Sequence, residues 1–337
     1  MDIRVSVIGA GSWGTTVAAL AAQNAPTTLW ARRATLADQI DQDHENGDYL
    51  AGFRLPTQLR ATADLEEAVR SADLLVMGVP SVGFRSTLEA VQPYLRPWVP
   101  VVSLSKGLEV DTRLRMTQII EQVLPGRPVG LLTGPNLAKE ILAGHAAASV
   151  IAMDDRNVAT AIRHLFQADL FRVYTNEDIV GCELGGVLKN VIAIGAGMAD
   201  GLGAGDNTRA AVITRGLSEI SRLGVAMGGH PLTFSGLAGM GDLVATCISP
   251  FSRNRHVGEH LGKGMTIDEV ITSMNMVAEG VKTSKVVMEL GEEHGIELPI
   301  CSEVHAVCHE GRSAAEAYAG LLRRDTGDEM DGLLPRG

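Results

Sequence analysis

The sequence has few cysteines, few aromatic residues and a deficit of positive charge. Its 337 residues include 4 cysteines and no CxxC pair, which argues against a disulfide framework and favours a reducing, cytoplasmic environment. Aromatic residues make up 4% and the net charge is −11, so we expect no base-stacking platform and no general attraction to nucleic acid or anionic lipid. We also expect no apolar run of the roughly 18–20 residues that cross a bilayer. Asp2 and Arg4 fall in a predicted first strand, which is unlike a secretory signal.

One group of cysteine and histidine residues has the composition of a metal site. Cys301, His305 and Cys308 recur at helical spacing on one face, and His309 is next to them. Zinc uses such ligands, but a part-buried helix with small apolar cysteines has the same pattern. Because no second ligand pair with zinc spacing occurs elsewhere in the sequence, we predict no metal site.

Short apolar segments rich in β-branched residues alternate with helical segments in the first half of the chain. Six strands are predicted, over residues 3–8, 27–31, 73–79, 99–104, 129–133 and 147–153. After residue 180 the pattern is helical, and it starts with a long apolar helix over residues 177–199. We therefore predict an α/β domain with a parallel-rich sheet over residues 1–180, an all-α domain over 181–325 and a tail over 326–337.

A glycine-rich loop directly follows the first predicted strand and precedes a helix. In this GxGxxG loop, Gly9 permits the sharp turn, Gly11 lets a pyrophosphate approach the backbone, and Gly14 lets the helix pack on the strand. The amides at the helix start favour negative charge. This context predicts a dinucleotide-binding site, whereas a glycine turn without a ligand is the alternative.

The end of the second predicted strand indicates which dinucleotide binds. NAD sites usually have an acidic residue there, about 20 positions after the glycines, to hold the ribose 2′-hydroxyl. This sequence has Arg32 and Arg33 instead, and two guanidinium groups suit a 2′-phosphate. The sequence favours NADP(H), with NAD(H) possible, and the alternative is two solvated arginines.

Two lysines lie in unusual surroundings. Lys189, with Asn190 after it, interrupts an apolar stretch of the long helix, where loss of hydration favours the neutral amine and eases proton transfer. A lysine that extends to solvent is an equal alternative at this position. Lys106 follows the fourth predicted strand, and in such folds the carboxyl ends of strands face the ligand crevice.

Polar residues in the second half suggest a substrate site. Asp242 ends a glycine-rich turn, where it could orient a lysine or simply form an Asx turn. Ser252, Arg253 and Asn254 start a predicted helix, and free amides together with an arginine suit a phosphate group. A capped helix with solvated arginines is the alternative.

Eight stretches of this sequence, in the same order, resemble the bacterial-type NAD(P)-dependent glycerol-3-phosphate dehydrogenases. Together they span about residues 3–320. The matching stretches are GAGSWGTTVA (9–18), VPS (79–81), SLSKGLE (103–109), GPNLAKEI (134–141), ELGGVLKNVIAIGAGMADGL (183–202), GLAGMGDLVATC (236–247), SRNR (252–255) and AEGVKT (278–283).

The resemblance implies a Rossmann domain followed by an all-α domain, with the substrate between them, and it suggests a homodimer. It implies reduction of dihydroxyacetone phosphate to sn-glycerol 3-phosphate, the backbone of phospholipids, with Lys189 as the catalytic proton donor and acceptor. Substrate contacts are implied at Lys106, Gly134, Lys189, Asn190, Asp242, Thr246, Ser252, Arg253 and Asn254. Cofactor contacts are expected at Gly9, Gly11, Ser12, Trp13, Gly14, Arg32, Arg33, Lys106, Ala138, Arg253, Val277 and Glu279.

The sequence departs from the family at Asn136 and Leu137, where a small hydroxyl residue and Phe are common, so the local contact at position 136 is open. Two other functions fit part of the pattern. A β-hydroxyacid dehydrogenase also joins a Rossmann half to a helical half but needs a carboxylate clamp, which Ser252-Arg253-Asn254 does not suggest. A non-catalytic nucleotide sensor needs the glycine loop but has no use for Lys189 and Asp242.

Overall fold

The chain divides into two units, Met1–Ile179 and Val180–Gly337. The computed structural model describes residues 3–274 and 278–323. Val277 and the predicted tail over residues 326–337 lie outside the described residues.

One eight-stranded sheet forms the centre of the first unit. Its strand order is β3-β2-β1-β4-β5-β6-β7-β8, and every neighbouring pair is parallel except β6 and β7. The strands are β1 Val5–Ile8, β2 Thr27–Trp30, β3 Arg60–Thr62, β4 Leu74–Met77, β5 Val101–Ser103, β6 Val129–Thr133, β7 Ala147–Met153 and β8 Phe171–Asn176. The predicted parallel-rich α/β architecture is confirmed, although β3 and β8 were not predicted.

Helices cover both faces of this sheet because its buried strands carry apolar side chains on each face. On one face of the sheet, Val7 and Val76 pack with the first two and the last two helices of the unit. On the other face, Ile8 and Leu75 pack with the three helices that connect β3 to β6. The helices are α1 Ser12–Ala22, α2 Ala34–Asp38, α3 Gly47–Leu50, α4 Leu65–Arg70, α5 Phe84–Val91, α6 Met116–Val123, α7 Ala138–Leu142 and α8 Arg156–Phe166.

The second unit is helical over its described residues. Its first helix, α9, starts at the last residue of the first unit, and its buried apolar side chains explain the uninterrupted apolar pattern of the sequence. The helices are α9 Ile179–Gly201, α10 Asp206–Ala226, α11 Pro231–Phe234, α12 Asp242–Ile248, α13 Arg253–Gly262, α14 Ile267–Ser273, α15 Glu279–His294, α16 Pro299–His309 and α17 Ala314–Leu322.

Glycines let α13 lie directly against α9. A Cβ at Gly197 would collide with the carbonyl oxygen of Arg255, and one at Gly258 would collide with that of Ile194. Gly201 and Gly262 continue the same close approach one turn further along each helix. The two backbones therefore touch, which fixes the start of α13 beside the middle of α9.

The expectation that no apolar run is long enough to cross a membrane is wrong. Two segments, Ile179–Gly201 and Pro231–Ile248, pass a test of length and hydropathy. In the first segment, 94% of the most apolar stretch of 18 residues is buried inside the protein, as expected for a core helix that packs against other parts of the protein on every side. The second is 44% buried and consists of α11, the π-helical turn Leu237–Gly241 and α12.

Candidate active site

The glycine-rich loop between β1 and α1 has the conformation that the sequence predicts for a phosphate site. Gly9 has φ +114°, and a Cβ there would lie 2.6 Å from the carbonyl oxygen of Gly78 at the end of β4. A Cβ at Gly14 would collide with the carbonyl oxygen of Gly9. By contrast, a Cβ at Gly11 would meet nothing within 4 Å. The loop is therefore tightly packed where it turns and open at its middle glycine.

The start of α1 offers unused hydrogen-bond donors beside this opening. No side chain of the described residues caps the helix at Gly11, and its first turn has no acidic residue. The indole nitrogen of Trp13 is buried and has no hydrogen-bond partner among the described residues. Free amides, the helix dipole and an orphaned N–H donor suit the negative charge of a pyrophosphate. These residues fit a dinucleotide.

Arg32 and Arg33 follow β2, as predicted, but their surroundings differ. Arg33 forms an ion pair with Asp48 of α3. Within the described part of the chain, no side chain pairs with Arg32. Both arginines are exposed, so Arg32 is the one that is free to meet an anionic group at this end of β2.

Lys106 and Gly134 lie at the carboxyl ends of β5 and β6, and the structure brings them together. The Nζ of Lys106 donates to the carbonyl oxygen of Gly134 at 2.9 Å. Close by, Asn136 donates through Nδ2 to Ser149 Oγ at 3.1 Å. The Asn136 Oδ1 and Thr133 Oγ1 atoms are buried without a hydrogen-bond partner among the described residues. Two polar atoms at this edge of the sheet could therefore form hydrogen bonds with a ligand.

Three predicted cofactor contacts lie at or near helix starts. Ala138 is the first residue of α7, and Glu279 is the first residue of α15. Ser12 is the first residue of α1, and its hydroxyl donates to the carbonyl oxygen of Tyr49 at 3.4 Å. Val277 lies outside the described residues.

Lys189, Asp242 and Thr246 form a buried cluster in the second unit. The Nζ of Lys189 donates to Oδ1 of Asp242 and, at 2.7 Å, to Oγ1 of Thr246. The hydroxyl of Thr246 donates in turn to the carbonyl oxygen of Asp242 at 2.6 Å. The Lys189 and Asp242 side chains are 6% and 2% exposed. Lys189 therefore does not extend to solvent, because a carboxylate balances its charge inside the protein.

The glycine-rich turn positions Asp242 against α9. The residues before Asp242 form a π-helical turn, Leu237–Gly241, which runs directly into α12. A Cβ at Gly185 of α9 would lie 2.7 Å from the carbonyl oxygen of Ala238, so the turn touches the α9 backbone. Burial beside this cluster raises the pKa of Cys247 to about 12, which makes that thiol an inert neighbour and not a nucleophile.

The predicted phosphate site is connected to α9 by two asparagines. Asn254 of α13 donates through Nδ2 to Asn190 Oδ1 at 2.9 Å and accepts from the amide of Gly280 at 3.0 Å. Ser252 caps α13 by accepting from the amide of Arg255 at 3.3 Å. Arg253 is the first residue of that helix. The structure thus brings Ser252, Arg253 and Asn254 to one helix start that contacts the residue after Lys189.

Ion pairs that were not predicted from the sequence hold the start of α13 against its neighbours. Arg255 donates through Nε to Asp200 at 2.8 Å, and Arg209 of α10 donates to the same carboxylate at 2.8 Å. Asp200 lies in the last turn of α9, and its two partners are 9 and 55 residues away in the chain, so no local signal in the sequence marks these ion pairs.

The cysteine and histidine group has other roles. Cys301 donates its amide to the buried carboxylate of Glu219, and burial raises the pKa of Cys308 to about 12. His309 contacts the Ser284 hydroxyl at 3.0 Å. Among the described residues, no group of three or more His, Cys, Asp or Glu side chains could hold a metal ion.

Two family models match nearly the whole chain. The model for the N-terminus of NAD-dependent glycerol-3-phosphate dehydrogenase matches residues 4–159, and the model for the C-terminus matches residues 178–319. The chain belongs to this family. The family is the one that the eight sequence stretches predicted.

Relatives and solved structures agree with this membership. A protein of Sphingopyxis alaskensis named glycerol-3-phosphate dehydrogenase [NAD(P)+] 2 is 60% identical over 98% of this chain and 99% of its own length. A glycerol-3-phosphate dehydrogenase [NAD(P)+] of Mycobacterium avium is 54% identical over 98% of this chain and 97% of its own. The crystal structure of glycerol-3-phosphate dehydrogenase from Coxiella burnetii has a TM-score of 0.91 and 34% identity, and the match covers 96% of this chain and 99% of that one.

Proposed function

We propose that this protein reduces dihydroxyacetone phosphate to sn-glycerol 3-phosphate with NADPH or NADH, a step that supplies glycerophospholipid synthesis. The buried cluster of Lys189, Asp242 and Thr246 supports the proposal, because an ammonium group held by a carboxylate and a hydroxyl can provide the proton that carbonyl reduction requires. In domain terms, residues 1–180 bind the dinucleotide and residues 181–325 hold the substrate and supply the proton.

The first unit binds the dinucleotide. The open middle of the glycine loop and the uncapped start of α1 hold the pyrophosphate, and Trp13 supplies a further donor. Arg32 holds the 2′-phosphate when the cofactor is NADPH, which makes NADPH the favoured form. When bound, the reduced nicotinamide supplies the hydride for the carbonyl carbon.

The substrate is held by its two ends. The start of α13 with Ser252, Arg253 and Asn254 binds the phosphate, because free amides and a guanidinium group there match its charge. Lys106, paired with the carbonyl oxygen of Gly134, provides a second cation for substrate and cofactor. Asn190, fixed by Asn254, contacts the reacting carbons.

Lys189 moves the proton. The Lys189 ammonium donates a proton to the carbonyl oxygen, where negative charge develops during reduction. The carboxylate of Asp242 pairs with this ammonium group and fixes its position, and Thr246 restricts its rotation. In the reverse direction, the neutral amine of Lys189 takes the proton from the hydroxyl group.

The proposed setting is the cytoplasm, with a second copy of the chain as partner and neither nucleic acid nor membrane bound. Four free cysteines fit a reducing compartment. Light scattering should give a mass of about twice the 35.6 kDa of one chain. A mass equal to that of one chain at micromolar concentration would contradict the dimer.

Steady-state oxidation of NADPH and of NADH tests the reaction. Dihydroxyacetone phosphate should support turnover with both cofactors, with the higher kcat/KM for NADPH. Unphosphorylated dihydroxyacetone, as the control substrate, should react far more slowly. Tight NADPH binding without turnover of dihydroxyacetone phosphate would instead favour a nucleotide sensor.

A further inference from the structure

The structure brings a carboxylate to the end of β2, where the sequence itself has only arginines. Asp48 lies 15 residues after Arg33 in the chain, and its Oδ2 accepts from the Arg33 guanidinium. Arg32 has no such partner among the described residues. The two arginines that the sequence presents as equivalent are therefore different, since one is already neutralised.

Buried contacts fix the position of Asp48, although its own side chain is 47% exposed. Asn46, which is fully buried, donates through Nδ2 to the carbonyl oxygen of Ala10 at 3.0 Å and to Thr15 Oγ1 at 2.8 Å. Its Oδ1 accepts from the amide of Tyr49 at 3.3 Å and so caps α3. The helix that carries Asp48 is thus attached directly to the glycine loop and to α1.

From this geometry we infer that Asp48 is a specificity-determining residue that competes with the 2′-phosphate of NADPH for Arg33. The ribose 2′ group of a dinucleotide in this fold lies at the end of β2, where Arg32 and Arg33 are. While Asp48 holds Arg33, only Arg32 meets the phosphate, so the advantage of NADPH over NADH is smaller than two arginines would give. The inference rests on the proposed cofactor role of these arginines.

Asp48→Asn tests the inference, because it removes the charge and keeps the shape of the side chain. The dissociation constants of NADPH and NADH are measured by titration calorimetry, and kcat/KM is measured beside them. We expect NADPH to bind about two- to fivefold more tightly, as an exposed ion pair allows, with NADH binding and kcat unchanged. A change below twofold in the ratio of the two dissociation constants would overturn the inference.

Two controls separate this effect from general charge and from folding. Glu66→Gln removes the same charge from an exposed ion pair with Arg70 on α4 and should leave the cofactor ratio unchanged. Asp48→Glu keeps the charge and should stay near the parent ratio. An equal shift in Glu66→Gln would show that net charge alone acts, and the inference would fail.

The Arg33→Ala background tests whether Asp48 affects NADPH binding through its ion pair with Arg33. Asp48→Asn should have no effect on the cofactor ratio there, because nothing is left for Asp48 to hold. A full effect in that background would overturn the inference. The binding measurements need no substrate, so a failure of dihydroxyacetone phosphate turnover counts only against the proposed reaction. Conversely, if Arg32→Ala weakens NADPH binding but Asp48→Asn changes nothing, the proposed cofactor site stands and the inference fails.

Discussion

The charge on Lys189 is buried and balanced, which gives the residue both a chemical and a structural role. If it is the proton donor, Lys189→Met should lower kcat by about 10²- to 10⁴-fold with dihydroxyacetone phosphate. The variant also removes the cation that pairs with the buried carboxylate of Asp242, which should cost about 3–5 kcal/mol of stability. Steady-state kinetics and denaturant unfolding measure the two effects.

The double variant Lys189→Met with Asp242→Asn separates chemistry from stability. With both charges gone, it should recover most of the lost stability but none of the lost activity. Lys263→Met, in an exposed pair with Glu259, is the matched control and should change neither. Turnover near the parent value in either Lys189 variant would contradict the role of this amine.

Arg253 offers a second test at the residue scale. Arg253→Ala should raise the KM for dihydroxyacetone phosphate about 10- to 100-fold, since a charge-assisted hydrogen bond to phosphate contributes about 1.5–3 kcal/mol. Arg156→Ala, in an exposed pair with Glu177, is the control and should leave KM unchanged. An unchanged KM in Arg253→Ala would place the phosphate elsewhere.

The sequence identified the individual residues of the candidate site better than their contacts. Lys189, Asp242 and Thr246 were each singled out. Asp242 and Thr246 follow Lys189 by 53 and 57 residues, so the hydrogen bonds that they form with it are seen only in the folded structure. Asp48 and Asp200 were missed because nothing local distinguishes an aspartate that pairs across the structure from a solvated one. The roles of all these residues stay predictions.

Helix crossings set the geometry of the second unit. Gly258→Ala places a methyl group against the Ile194 carbonyl, which should push α13 away from α9 and disturb the contact between Asn254 and Asn190. We expect lower stability, by about 1–3 kcal/mol as for an overpacked core, and a higher KM for the phosphorylated substrate. Denaturant unfolding and kinetics measure these effects.

Gly205→Ala is the control for that prediction, because a Cβ there meets nothing within 4 Å. Its stability should stay within about 0.5 kcal/mol of the parent protein. If Gly258→Ala behaves in the same way, the two helices are not held by backbone contact.

An ion pair between Glu109, in the loop after β5, and Arg85 of α5 should contribute to the stability of the fold in a pH-dependent way. Two hydrogen bonds from Arg85, at 2.8 and 2.7 Å, hold the pKa of Glu109 below its usual 4.5. A lowered carboxyl pKa stabilises the fold above about pH 4.5, and this contribution is lost as the pH falls through the folded-state value. Glu109→Gln should therefore cost about 1 kcal/mol at neutral pH and nothing in strong acid, as urea unfolding at several pH values would show. An equal cost at every pH would contradict this.

The order of the strands was largely predictable, and there are physical reasons why two strands were missed. β3, Arg60–Thr62, is only three residues long and has no apolar run. β8, Phe171–Asn176, alternates buried and exposed residues at the edge of the sheet, so its apolar content is half that of a central strand. The central strands were found because helices cover both of their faces.

At the scale of the whole molecule, function divides along the chain. The groups proposed for cofactor binding lie mainly in the first unit, and those proposed for proton transfer and phosphate binding lie in the second.

NADPH at 100 times its dissociation constant should stabilise the protein by about 2.7 kcal/mol. Amide hydrogen exchange should show the protection first at the glycine loop, and protection confined to α13 would contradict the assignment.

All four cysteines, Cys182, Cys247, Cys301 and Cys308, belong to the second unit, and each is buried. Their thiols are shielded from reagents in the native fold, and a thiol pKa near 12 at Cys247 and Cys308 leaves almost no reactive thiolate at neutral pH. The chain thus carries an intrinsic probe that reports on one half only. Pulse labelling with a thiol reagent along a urea gradient should time the opening of the helical half, while the sheet-containing half stays chemically silent.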